Sequence, residues 1–96
     1  MDWLLAHELS HHLLGHTGNA LEQEMAANTR AVKVLEEWGY SEAEAVRLVL
    51  GVLLAVQRRG SALTGKGHDW CMEYQDIARR YPGQPDRRKP GECGAA

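Results

Sequence analysis

The chain has 96 residues, 44% of them hydrophobic, and a formal net charge of −2. This suits one small globular domain, near the size at which a single core only just suffices. With no basic excess, the chain lacks the electrostatic footprint of a nucleic-acid or anionic-membrane binder.

The pattern predicts a helical domain over residues 1–81 and a flexible tail over 82–96. The opening MDWLLAHELS lacks the basic n-region of a signal peptide. The two cysteines, Cys71 and Cys93, form no CxxC pair. The expectation is therefore a cytoplasmic protein with both thiols free. Helix one should cover residues 3–14, with Asp2 as N-cap and Gly15 as stop. Its apolar residues Trp3, Leu4, Leu5, Leu9, Leu13 and Leu14 lie almost all round it, which marks a buried central helix. HTGN is a turn, after which Asn19 and Glu22 make a capping-box pairing for helix two. Helix two should end near Trp38, with Gly39 as its stop. Ser41 and Glu44 repeat the box for helix three, which carries LVLGVLLAV (48–56) and is expected to be buried on several sides. Its valines leave a β-strand as the alternative. That run is far short of the ~20 residues that span a bilayer. RRGSALTGKGH reads as a polar loop. Helix four should cover residues 70–81, ended by Pro82. The segment PGQPDRRKPGECGAA has no apolar cluster and reads as a mobile tail.

Four of the five histidines fall within HELSHHLLGH (7–16). His7, Glu8 and His11 spell HExxH. Positions i and i+4 share one helix face, so His7 and His11 can reach a single ion. Zinc accepts imidazole nitrogen, and Glu8 beside that pair is suited to take a proton from water that the metal acidifies. A chance occurrence of the string competes with this. It is weakened because imidazoles and a carboxylate in an apolar helix are costly without partners. His12 lies about 100° round the helix from His11 and reads as a surface or outer histidine. His16 falls out of register for the metzincin pattern, since Leu14 and Thr17 stand where that pattern has Gly and His.

A third ligand is expected from helix two. Leu21, Glu24, Asn28, Ala31 and Leu35 share one apolar stripe, whereas Glu22 runs with Thr29, Lys33 and Glu36 on a solvated face. Glu24 is thus the candidate ligand, with an ordinary carboxylate–arginine pair as the alternative. Asn28, one turn on, can accept a hydrogen bond from a ligand histidine and fix its tautomer.

HExxH, a turn and then EMAAN (24–28) on the next helix resemble the gluzincin pattern, in which ExxAD or ExxAN supplies the third zinc ligand. TRAVKVLEEWGYSEAEAV extends the likeness to the HtpX and CAAX-prenyl-protease type peptidases. Minigluzincins and ImmA/IrrE-type peptidases are close alternatives. The likeness covers about residues 4–60. It implies zinc peptidase chemistry, with His7, His11 and Glu24 as ligands and Glu8 as general base. The acid of ExxAD is here Asn28. Only six residues stand before His7, where relatives carry a helix and strands, including the strand along which substrate docks.

The second half offers candidates for an oxyanion donor: His68 first, then Tyr74 and Arg79. Trp70, Ile77 and Tyr81 read as core contacts and Cys71 as a buried helix residue. PGECG is faintly like the thiol latency peptide of matrix metallopeptidases, in which a cysteine caps the zinc. The plainer reading is an inert thiol in a disordered tail.

The expectation is an all-α, zincin-like four-helix domain with a central HExxH helix and without the usual N-terminal strands. It binds one Zn²⁺ and hydrolyses a peptide or protein substrate. The alternatives are a non-catalytic zinc-stabilised module acting through self-association or a partner, and a plain helical bundle dimerising through helix three. A homo-oligomer is expected, with the Trp3–Leu5 end in the contact.

Overall fold

The computed structural model describes residues 2–13, 21–59 and 69–96, except for the side chains of residues 2, 4, 8 and 11–13. Four helices follow one another: α1 (Asp2–Leu13), α2 (Leu21–Glu37), α3 (Glu42–Arg59) and α4 (Trp70–Arg80). A short 3₁₀ turn, Glu92–Gly94, lies near the C-terminus. No strand occurs among the described residues, so the protein is all-α there and the strand alternative for residues 48–56 falls.

Local chemistry sets the helix ends. After α2, Gly39 takes φ +104°, a conformation that only glycine adopts without strain. Gly39 N–H then bonds the Glu36 carbonyl at 3.0 Å and Tyr40 N–H that of Leu35 at 3.1 Å. These are the two bonds of a Schellman stop. The expected box opens α3: Glu44 N–H donates to Ser41 Oγ at 3.1 Å, and Ser41 N–H donates to Glu44 Oε1 at 3.0 Å. The Glu44 carboxylate has its pKa lowered by the Ser41 backbone N–H first and the Ser41 hydroxyl second. Asp69 caps α4 by accepting from Met72 N–H at 3.0 Å. Asn19, the cap of the expected Asn19–Glu22 box, lies outside the described residues.

The core is built from α2, α3 and α4. Val32, Val34 and Leu35 meet Val46, Val49, Leu50, Leu53 and Leu54 of α3 and Trp70, Tyr74 and Ile77 of α4. Trp70 and Ile77 are buried, and Tyr81 packs against the cluster, as their positions suggested. The helix read as buried and central is exposed at Leu5 and Leu9. α1 packs on α2 and more lightly on α3. Among the described side chains, Ala6 and Ser10, one turn apart on α1, and Ala27 and Ala31, one turn apart on α2, are all fully buried.

Residues 82–96 differ from the expected mobile tail. Cys93 is buried and disulfide-bonded to Cys71, so neither thiol is free. Arg58 of α3 holds Glu92 with two bonds, at 2.9 and 2.8 Å, and also donates to the Arg87 carbonyl at 3.1 Å. The Arg87 guanidinium, the far end of a flexible side chain, lies against Gly51 of α3. Arg88 grips Asp86, donates to the Cys93 carbonyl at 2.7 Å and stacks over the Tyr74 ring. Gln75 donates to the same carbonyl at 2.6 Å.

Candidate metal centre

The α1–α2 contact carries an enclosed polar cluster. His7, Glu24, Asn28 and Glu73 are all buried, with Asn28 and Glu73 fully so. Burying such groups is unfavourable unless they satisfy one another. His7 Nδ1 lies 3.0 Å from Asn28 Oδ1. Asn28 Nδ2 donates to Glu73 Oε1 at 2.7 Å. His7 Nε2 lies 3.7 Å from Glu24 Oε1. The Trp3 ring stacks on the His7 imidazole, with centroids 4.9 Å apart and planes 22° from parallel. The ring is thus fixed both by an edge bond and by face contact.

The stripe read from helix two is what the structure displays. Glu24, Asn28, Ala31 and Leu35 are buried, whereas Glu22 and Lys33 are exposed. Helix periodicity brings Glu24 and Asn28 to the α1 side one turn apart.

These residues fit a zinc ion in part. A separation of 3.7 Å exceeds hydrogen-bond length. It is close to the about 3.4 Å between two donors each about 2.0–2.1 Å from one tetrahedral zinc. With Nδ1 turned to Asn28, Nε2 is the nitrogen that faces the carboxylate. Among the described residues, no three His, Cys, Asp or Glu side chains form a complete metal set. Position 11 follows position 7 by one turn of α1, but the side chains of His11, the other expected ligand, and Glu8, the expected base, lie outside the described residues, as does His12. His16 and His68 lie outside them entirely.

The other oxyanion candidates are placed elsewhere. Arg79 is bonded to Asp76 at 2.8 Å on an exposed part of α4. Tyr74 lies beneath Arg88 and lines a cleft of about 100 Å³ with Leu50, Tyr81 and Pro85. That cleft has neither His7 nor Glu24 in its lining. The zinc-capping thiol is also corrected, because Cys93 sulfur is bonded to Cys71.

The sequence reading missed Glu73, although a signal for it existed. Trp70, Glu73, Tyr74 and Ile77 recur at helical spacing and are all buried, so this glutamate sits in an apolar stripe as Glu24 does. Comparison with family models, curated proteins and solved structures finds no match.

Proposed function

We propose that the protein is a zinc-dependent metallopeptidase, with His7, His11 and Glu24 as the metal ligands and Glu8 as general base. The observation that carries this reading is the buried approach of His7 Nε2 to Glu24 Oε1, with Asn28 on the other imidazole nitrogen. Zinc, when bound there, supplies a Lewis acid that acidifies water and polarises a carbonyl. The chain's own part is to orient one imidazole, to keep solvent from the α1–α2 contact and to place Glu8 next to His7 as the proton acceptor. His68 is the proposed oxyanion donor.

The substrate is proposed to be a peptide or protein. No helix among the described residues is long and apolar enough to cross a membrane. The cytoplasmic placement loses its free-thiol argument, since the Cys71–Cys93 bond is the kind that oxidising compartments favour. Self-association through α1 is supported by Leu5, 62% exposed, and Leu9, one turn apart on its outer side. Sedimentation over a dilution series should show dissociation of a dimer or larger species, and a monomer at every concentration would refute it.

The catalytic reading is tested on protein purified without a histidine tag. Glu8→Gln should retain zinc and fold while peptide hydrolysis falls by ~10²-fold or more, the weight of a general base. Loss of the metal in that variant would make Glu8 a ligand. Unchanged hydrolysis would remove it from the mechanism.

A further inference from the structure

Glu73 is fully buried on α4, 45 residues from Asn28 in sequence, and it meets the proposed centre through a hydrogen bond to that asparagine. A carboxylate accepts hydrogen bonds and donates none, whereas an asparagine amide has one donating and one accepting end. With Glu73 Oε1 at 2.7 Å, the end of Asn28 that faces α4 has to be its NH₂. The end that faces α1 is then the carbonyl oxygen, 3.0 Å from His7 Nδ1. An oxygen there requires a proton on Nδ1. In a neutral imidazole this leaves Nε2 as the bare nitrogen, and Nε2 is the atom 3.7 Å from Glu24.

We propose that Glu73 is a positioning residue, whose carboxylate fixes the amide orientation of Asn28 and through it the tautomer of His7. This deepens the zinc reading, since a ligand histidine must present a lone pair to the metal and its outer N–H partner sets which nitrogen does so. It also explains how an amide serves at position 28. An aspartate there could accept from His7, but it would face the Glu73 carboxylate with no proton between them. Amide and acid therefore form a matched pair whose order along the chain can be reversed.

The test uses the full chain, without a tag, labelled with ¹⁵N at histidine and stripped of metal by chelation. Long-range ¹H–¹⁵N spectra at mildly alkaline pH report the His7 tautomer, assigned with a His7→Gln variant. A competitive chelator titration with zinc reports affinity. The native chain should show the Nδ1–H tautomer. Glu73→Gln frees Asn28 to turn either way. It should give a mixture or the Nε2–H form, and zinc affinity about tenfold weaker. Asn28→Asp should weaken zinc binding and the fold. The double variant Asn28→Asp, Glu73→Gln should restore the Nδ1–H tautomer and most of the affinity, because the amide introduced on α4 would then donate to the carboxylate introduced on α2.

An unchanged tautomer in Glu73→Gln would overturn the proposal, as would a double variant no better than Asn28→Asp alone. A chain that binds no zinc yet shows the tautomer change and its rescue would uphold the relay and count against the zinc reading.

Discussion

Two polar regions of this small protein hang on the same helix and are built in opposite ways. On one side of α4, Glu73 enters a cluster with Asn28 and His7 that excludes solvent. From the same helix, Cys71 and Gln75 tie down the C-terminal segment, whose ion pairs are open to water, with Arg58 39% and Asp86 54% exposed in their side chains. In the cluster each hydrogen bond bears on which atom the next group presents, because the groups are buried together. Along the tail, water competes for every charge, and exposed pairs contribute little each. The tail therefore owes its order to a covalent bond, and the cluster owes its order to mutual satisfaction of buried groups. Only the second arrangement brings an imidazole nitrogen toward a carboxylate.

The largest separation of the two regions should come from the disulfide. Its ends lie 22 residues apart. Closing a loop of that size is worth about 3 kcal/mol in the chain-entropy account. Cys93→Ser, or reduction of the native chain, should lower unfolding stability by roughly that amount while metal binding persists. Denaturant unfolding with and without reductant measures the first part, and metal content the second. Loss of metal together with the disulfide would show that the two regions are one unit.

A smaller effect should touch both regions together. Asp69 caps the helix they share. Asp69→Ala should cost about 1 kcal/mol. Hydrogen exchange should quicken both around Glu73 and around Cys71. Faster exchange at only one of them would mean that α4 does not hold the regions jointly.

The smallest effect belongs to acid. Arg58 first, and the Lys89 backbone N–H second, hold the Glu92 carboxyl down to about 2 from its ordinary 4.5. The Arg88 side chain, then its backbone N–H, does the same for Asp86, to about 2 from 3.8. Depressed folded-state values mean that these carboxylates stabilise the fold above their ordinary range and lose that contribution as pH falls toward about 2. Tail amide signals should loosen in that window, with only a slight change in global stability because both pairs meet solvent. A tail unchanged through that window would show that these ion pairs play no part in its order.

The helix-two stripe was legible because a carboxylate and an amide stood at apolar spacing in an otherwise ordinary amphipathic pattern. The Ser41–Glu44 box and the Gly39 stop were legible because each is a local device. Two features were not. Apolar residues almost all round α1 suggested a buried central helix with an unprotected Trp3–Leu5 end, but composition does not say which neighbours exist, and Leu9 is exposed as well as Leu5. The Cys71–Cys93 bond depends on Pro- and Gly-rich residues folding back over α3 and α4. No spacing of two lone cysteines announces that. Glu73 lay between these cases, with its stripe visible and its partner Asn28 on another helix.

The central claim is that His7 and Glu24 hold one zinc ion. Metal content per chain, measured on untagged protein for the native sequence, Glu24→Ala and Glu22→Ala, tests it most directly. The expected result is one zinc per native chain, loss of the metal with a lower melting temperature in Glu24→Ala, and full retention in Glu22→Ala, since ligand and folding energies are linked only at the buried position. A native chain without stoichiometric zinc, or a Glu24→Ala variant that keeps it while Glu22→Ala loses it, would contradict the assignment.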